Sequence, residues 1–193
     1  MQVSVDQRRL LALCAIRVAD ASPDWSVLAR EAPREKGIDR LKVGPGWRVI
    51  FGRLILGWLK EHHDPADFDL IVVNPTHPDR VVRHTELILA AAANEDLLDE
   101  WPLDRGDPKA IIKTQETPPS ATQSWRDKKI AADALWGALE IPDRTRTAGK
   151  RILVIDDITT TLLQLNAVAG ILQEVGDATT VNGLVLARAV MRS

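Results

Sequence analysis

The sequence predicts an α/β fold with three layers, in which helices flank a mostly parallel central sheet and an N-terminal helical segment comes first. Two short runs, residues 69–73 and 152–155, are apolar apart from Asp69 and fit strands that are buried on both faces, and such strands are typical of parallel sheets. From residue 69 onward, apolar runs alternate with segments of helical periodicity. This alternation is the pattern of strand and crossover helix that builds a parallel sheet.

The composition is that of an ordinary globular protein. Its 193 residues are 45% hydrophobic and 27% charged, with a formal net charge of -2, which argues against bulk attraction to nucleic acid. Cys14 is the single cysteine, so an intramolecular disulfide and a cysteine-cluster zinc site are excluded. No stretch approaches the ~20 apolar residues of a membrane span, and the N-terminus lacks a signal-like apolar run. We therefore expect a cytoplasmic protein.

The first forty residues are expected to be helical. Leu10, Leu13 and Val18 belong to an apolar stripe that predicts a helix, and a second short helix is predicted over residues 24–30. Apolar residues then recur at helical spacing over residues 49–62, and a proline shortly afterwards stops this third helix.

The middle of the chain begins with the strand at residues 69–73. Asn74, Pro75 and Thr76 follow it directly, at the position where a strand gives way to a loop. The next segments are, in order, a helix over residues 80–94, a strand over residues 110–113, an exposed mobile loop over residues 114–124 and a helix over residues 125–136.

The strongest chemical signal follows the strand at residues 152–155. Asp156 and Asp157 are placed where this strand ends, and three threonines come next: Thr159, Thr160 and Thr161. Apolar residues at helical spacing then predict a helix, and residues 179–187 predict a last strand. Ligands of open α/β sheets collect at the carboxyl ends of strands, and a helix N-terminus offers unpaired N–H groups to a phosphate. These residues suit a sugar diol held by carboxylates and a phosphate held by amides and hydroxyls.

The run from residue 152 to residue 164 resembles the phosphoribosyl-pyrophosphate motif of type I phosphoribosyltransferases. In that motif an apolar strand leads to two acidic residues, an apolar residue and a Thr-Thr-Gly-x-Thr loop. Three further segments are similar to the ComF-like branch, which is related to amidophosphoribosyltransferase and here lacks the N-terminal zinc finger. The first segment, residues 41–59, is a Leu-Lys pair and a glycine followed by a long helix. The second is the strand and loop at residues 71–75 with Arg80 and Arg83. The third is the Thr-Pro-Pro loop at residues 117–124 with the charged helix after it.

The resemblance implies a division at residue 40. Residues 1–40 would be a helical hood or dimer surface, and residues 41–193 a phosphoribosyltransferase-like domain. Asp156 and Asp157 would be the catalytic residues, holding the ribose hydroxyls. The implied phosphate-binding residues are Thr159, Thr160, Thr161, Leu162, Leu163 and Gln164. The implied pyrophosphate-binding residues are Asn74, Pro75, Thr76 and Arg80, and the implied flexible loop includes Thr117, Ser120 and Arg126. Mg²⁺ would bind together with phosphoribosyl pyrophosphate, with few direct protein ligands.

Three positions depart from the family pattern. Leu162 stands where the motif has glycine, and Gln164 stands where it has its last threonine. Thr160 takes the place of the aspartate that serves as base toward the purine in purine salvage enzymes, and a threonine cannot take a proton near neutral pH. Thr160 therefore argues against a purine acceptor, and the sequence leaves the acceptor open.

The expected activity is transfer of a phosphoribosyl group to a nitrogen nucleophile with release of pyrophosphate, the reaction of a glycosyltransferase of the pentosyl class. Two alternatives remain open. The first is a non-catalytic sensor of phosphoribosyl pyrophosphate or a nucleotide. The second is a competence accessory that handles single-stranded DNA, for which Arg80, Arg83 and Trp125 belong to the candidate contacts. A homodimer is a further expectation, because dimers are the commonest soluble oligomers. The threonines also suit ordinary helix capping, and Arg80 and Arg83 a solvated basic face.

Overall fold

The computed structural model describes residues 45–77, 79, 80, 82–117, 125–159 and 162–188, together with residues 16–18 and 25–27. Within these residues the strands are β1 (Ile16–Val18), β2 (Trp25–Val27), β3 (Leu70–Val73), β4 (Ile112–Lys113), β5 (Leu139–Glu140), β6 (Arg151–Thr159) and β7 (Thr180–Arg188). The helices are α1 (Pro45–His62), α2 (His84–Glu95), α3 (Trp125–Ala138) and α4 (Leu163–Glu174). Single 3₁₀ turns lie at Pro65–Asp67 and Arg144–Arg146.

The main sheet has the strand order β1-β2-β7-β6-β3. The pairs β2–β7, β7–β6 and β6–β3 are parallel, and only the β1–β2 pair in this sheet is antiparallel. Strands β4 and β5 form a separate antiparallel pair. The mostly parallel sheet predicted from the alternating pattern is confirmed.

Strand β6 explains the three layers, because both of its faces are covered by helices. Ile152 and Val154 belong to a core cluster that includes side chains of α3 and α4. Leu153 and Ile155 belong to a second cluster that includes side chains of α1 and α2. Each of these four side chains is at most 1% exposed, and full burial of such a side chain stabilises a fold by about 1.5–3 kcal/mol. A continuous apolar run is the sequence that a strand between two helical layers requires.

Helices α1 and α2 pack with their backbones in close approach. A Cβ atom placed on Gly52 would lie 2.6 Å from the backbone nitrogen of Ala92. Backbone atoms cannot rotate away as the end of a side chain can, so only glycine fits at this crossing. Gly57, one and a half turns further along α1, has nothing within 4 Å of the corresponding position.

The N-terminal helix predictions are wrong wherever the structure describes that segment. Residues 16–18 and 25–27 are strands, and β2 extends the main sheet by pairing with β7. Both segments read apolar, polar, apolar, which is the period of a strand, and the available sheet edge outweighed the helical spacing of the longer stretch. The other predicted N-terminal helical residues lie outside the described residues, and the division at residue 40 stays a prediction.

Two further element boundaries differ from the prediction. Helix α2 begins at His84 rather than near Arg80, because side chains of its first turn bind the loop that follows β3 and hold the intervening residues out of the helix. Strand β6 continues to Thr159, past the acidic pair, because β7 pairs with it as far as Arg188. The acidic pair therefore lies inside β6, at the point where the neighbouring strand β3 ends. Helices α1, α3 and α4 and strands β3 and β7 match their predicted positions to within a few residues.

Among the described helices, none is both long and apolar enough to cross a membrane.

Replacing Gly52 by alanine is expected to destabilise the protein by about 1–3 kcal/mol, because the added methyl group would meet backbone atoms of α2. Gly57→Ala, in the same helix, is expected to stabilise the protein by about 0.5–1 kcal/mol, since alanine is the better helix former where space is open. Urea unfolding of both variants measures the difference. Equal effects of the two substitutions would contradict the close approach of α1 and α2.

Candidate functional site

The register between β3 and β6 brings the two predicted halves of the site together. Val73 pairs with Ile155, and the backbone N–H of Asn74 donates to the carbonyl of Ile155 over 2.8 Å. The next residue on each strand is therefore Asn74 on one and Asp156 on the other. The Asn74 side-chain amide donates to the Asp156 carboxyl, with Nδ2 3.3 Å from Oδ2. Two positions that are 82 residues apart in the chain are thus in direct contact.

Asp156 is a buried carboxyl group. Its side chain is on a residue that is 5% exposed, and its Oδ1 accepts the backbone N–H of Asp157 over 2.9 Å. Burial raises the pKa of Asp156 well above its usual range, and the neighbouring charge of Asp157 raises it further. The hydrogen bond from Asn74 lowers the same pKa, but this effect is smaller than that of burial. Asp156 therefore favours the protonated form far more than an exposed aspartate does.

Asp157 has a different environment, although it is adjacent in the chain. It is half-buried, and because side chains alternate along a strand, it shares the face of β6 that carries Ile155, opposite Asp156. The predicted ribose-binding pair is thus divided between a buried carboxyl and a more accessible one.

The loop after β3 is tied to the first turn of α2 by hydrogen bonds that the sequence did not predict. The Thr85 hydroxyl, on a residue that is buried, lies 2.8 Å from the carbonyl oxygen of Asn74 and 3.0 Å from Oε2 of Glu86. The backbone N–H of Thr76 donates to Oε1 of Glu86 over 2.6 Å. Sequence reasoning missed Thr85 and Glu86. The signal that was available is an acidic residue in the first turn of the helix that follows the loop.

One residue of the predicted phosphate turn, Leu162, has the backbone geometry that favours glycine. Leu162 has φ 62° and ψ -2°, a left-handed conformation, at the residue before α4 begins. Its side chain is half-buried and packs against the core cluster that includes Leu165. Leu163 and Gln164 are the first residues of α4, and Thr159 is the last residue of β6. Thr160 and Thr161 lie outside the described residues. Leu162 thus adopts a left-handed conformation, which ordinarily costs an L-residue about 1–2 kcal/mol.

A cavity of about 440 Å³ lies beside the loop after β3. Pro75 and Thr76 line it, and three cationic side chains stand at its wall: Arg83, Lys109 and Lys113. Glu86 and Asp104 supply the carboxylates of the lining. Most of the remaining lining is aliphatic, so charges in this cavity interact through less water than at an open surface.

Lys113 is the cation whose surroundings are most unusual. It is half-buried, and burial lowers its pKa, with a further contribution from the positive charge of Arg80. Its Nζ donates to the hydroxyl of Thr117 over 2.5 Å. Arg80, predicted to bind pyrophosphate, is exposed in the turn before α2. It affects the cavity electrostatically, through its effect on the pKa of Lys113. Sequence reasoning did not select Lys113, although it directly precedes the predicted flexible loop.

Asp104 lines this cavity and holds the neighbouring segment in place through hydrogen bonds. It is 4% exposed and accepts backbone N–H groups of Gly106 and Ala110, over 2.9 and 2.8 Å. Arg146 donates to its Oδ1 over 2.5 Å. In this ion pair Asp104 is buried and Arg146 is partly exposed, and the pair balances the charge of Asp104 and holds the segment that leads into β4.

The flexible-loop positions are described only in part. Thr117 accepts the hydrogen bond from Lys113, whereas Ser120 lies outside the described residues. Arg126 belongs to α3, and its side-chain contacts are outside the description. Within the described part of the chain, no group of three or more His, Cys, Asp or Glu residues is placed to hold a metal ion by itself.

No protein-family model matches the sequence, and no curated protein matches it. Among solved structures, the chain is similar to one described as the allosteric regulatory enzyme of purine biosynthesis, with 18% sequence identity and a TM-score of 0.42. The similarity covers 72% of this chain and 25% of the other, so this chain spans about a quarter of that protein's length.

The raised pKa of Asp156 predicts a specific pH dependence of stability. The folded state retains a proton that the unfolded chain releases, so the free energy of unfolding should fall as pH rises from about 4 toward the folded pKa. Asp156→Asn should remove this loss, and the difference between the two proteins should change by at most about 1.4 kcal/mol per pH unit. Urea unfolding across a pH series measures it. Parallel curves for the two proteins would contradict a protonated Asp156.

The left-handed Leu162 predicts an unusual order of stability for two substitutions. Leu162→Gly and Leu162→Ala both remove the same packing, but glycine should be more stable by about 1 kcal/mol because it adopts positive φ without strain. Gln173, inside α4, serves as the control position, where the alanine variant should be the more stable. Thermal unfolding of the four variants tests this order, and alanine being preferred at both positions would argue against the left-handed turn.

Proposed function

We propose that this protein is phosphoribosyltransferase-like: it binds phosphoribosyl pyrophosphate with Mg²⁺ and transfers the phosphoribosyl group to a nitrogen nucleophile. The observation that carries the proposal is the convergence of three features at one edge of the sheet. The loop after β3 and the acidic pair of β6 touch through Asn74 and Asp156. The left-handed turn at Leu162 follows the same strand and opens α4. A ligand with a diol flanked by two phosphate groups suits such an arrangement.

In this proposal each half of the ligand has its own partners. Asp157, the more accessible carboxylate, accepts hydrogen bonds from a ribose hydroxyl. Asp156 orients the strand end, and its buried carboxyl is the other member of the ribose-binding pair. The backbone N–H groups of the turn and first residues of α4 bind the 5-phosphate, because a helix N-terminus has unpaired donors. The left-handed residue at position 162 supports this step, since it has the backbone geometry that the resemblance assigns to glycine.

The pyrophosphate half would occupy the cavity beside Pro75 and Thr76. Arg83, Lys109 and Lys113 line that cavity and supply positive charge where the leaving group develops negative charge. In the reaction, the bond between ribose carbon 1 and the pyrophosphate oxygen breaks and a bond to the nitrogen nucleophile forms. The nitrogen loses its proton to solvent, and pyrophosphate leaves with the bonding electron pair.

Mg²⁺ fits this site as an ion that arrives with the ligand. One carboxylate, Asp157, is suitably hard and half-buried, and pyrophosphate and ribose oxygens would complete the coordination, as Mg²⁺ prefers. The ion would neutralise charge on the leaving pyrophosphate.

A second candidate function is a non-catalytic sensor of the same ligand. Thr160 motivates it, because a threonine stands where purine salvage enzymes have their base. In this case the protein binds phosphoribosyl pyrophosphate but releases no pyrophosphate with any acceptor. Measuring pyrophosphate release with ammonia, simple amines and nucleobases separates the two functions.

Asp157→Asn is expected to weaken binding of phosphoribosyl pyrophosphate with Mg²⁺ about tenfold or more, because a charge-assisted hydrogen bond contributes about 1.5–3 kcal/mol. Asp133→Asn, an exposed carboxylate on α3, is the control and should bind like the unaltered protein. Isothermal titration calorimetry measures all three affinities. The proposal fails if no variant binds millimolar ligand, or if Asp157→Asn binds as well as its control.

A further inference from the structure

The Glu86 carboxylate occupies a backbone N–H donor that would otherwise suit an anionic ligand. Its Oε1 accepts the backbone N–H of Thr76 over 2.6 Å, and its Oε2 lies 3.0 Å from the hydroxyl oxygen of buried Thr85. Glu86 and Thr76 both line the 440 Å³ cavity, so the contact between them lies at its wall. A backbone N–H that faces a cavity with three cationic side chains is a donor for phosphate or carboxylate oxygens. In this structure the protein's own carboxylate takes that place.

The charge of Glu86 is not neutralised in the way that the charge of Asp104 is. Asp104, the other carboxylate of the lining, bonds to the guanidinium of Arg146. Glu86 instead takes its described hydrogen bonds from an amide and a hydroxyl, which carry no net charge. Its negative charge therefore remains at the cavity wall, where it opposes entry of a further anion and partly cancels the attraction of Arg83, Lys109 and Lys113.

We propose that Glu86 is a specificity-determining residue that limits the negative charge this cavity accepts, because its carboxylate holds the Thr76 amide that a pyrophosphate oxygen would bind. This inference rests on the proposed function for the identity of the anion. A polyphosphate binds by displacing the Glu86 carboxylate from Thr76, so affinity for pyrophosphate is set by that exchange. A ligand with less negative charge meets less opposition.

Glu86→Gln separates the charge from the hydrogen bond. A glutamine carbonyl oxygen can still accept from the Thr76 N–H, so the loop keeps its tie to α2 while the negative charge is gone. Removing one unit charge within a few ångströms of the anion should raise the affinity for inorganic pyrophosphate about tenfold, and less at high salt. Glu174→Gln, at the exposed carboxyl end of α4, changes the net charge equally and should leave the affinity unaltered.

Calorimetry with inorganic pyrophosphate and with monovalent acetate, each at low and high salt, provides the test on the full chain. Support requires a several-fold gain for pyrophosphate in Glu86→Gln, a smaller gain for acetate and no gain in Glu174→Gln. Equal pyrophosphate affinity in Glu86→Gln and the unaltered protein, or equal gains in both variants, overturns the role of Glu86. No pyrophosphate binding by any variant overturns it as well.

Failure of the proposed function has a different signature. If Glu86→Gln gains affinity for pyrophosphate while Asp157→Asn leaves binding of phosphoribosyl pyrophosphate unaltered, the cavity is an anion site controlled by Glu86 but not part of a phosphoribosyl site. If phosphoribosyl pyrophosphate binds through Asp157 and Glu86→Gln has no effect, only the role of Glu86 is overturned.

Discussion

The parallel register of β3 on β6 is the constraint on which the candidate site depends. Pairing of Val73 with Ile155 places the last apolar residue of each strand side by side and leaves the two polar residues that follow, Asn74 and Asp156, in contact at the same edge. A shift of one residue would send every β6 side chain to the other face and separate this pair. Because both faces of β6 are filled by apolar side chains from two helical layers, the register is fixed by the core rather than by the polar contact.

Burial in this register also decides which carboxyl can meet a ligand. Asp156 is the first polar residue after four buried apolar residues, so it inherits their enclosed environment and a raised pKa. Asp157 follows on the opposite face and stays half-buried. Two identical side chains at consecutive positions therefore differ in exposure, because strand alternation gives each a different neighbourhood.

The sequence predicted the parallel sheet and the helices where one period dominated. The apolar runs of β3 and β6 and the helical spacing in α1, α3 and α4 left little ambiguity. The N-terminal strands were missed because three-residue alternation is too short to outweigh a longer helical pattern, and β7, the parallel partner of β2, lies over 150 residues away. For the site, most predicted residues were those that the family resemblance implies, whereas Glu86 and Lys113 depend on tertiary contacts across the cavity. Their roles could not be read from spacing alone.

Leu162 shows that a departure from a motif need not be a departure from its geometry. The residue is not glycine, yet its backbone has the positive φ for which glycine is favoured, and the contact of its side chain with the core offsets part of that strain.

The close approach of α1 and α2 at Gly52 has a consequence for the time scale of ligand entry. Backbone contact with Ala92 and the packing around it tie α2 to α1, so a shift of α2 that released the loop after β3 would disrupt this packing. Exchange at the Thr76 amide is therefore left to rotation of the Glu86 side chain. Rotation of the half-buried Glu86 side chain breaks only its hydrogen bonds to Thr76 and Thr85, whereas collective helix shifts take microseconds to milliseconds. Opening of this cavity should thus be far faster than any turnover limited by helix movement.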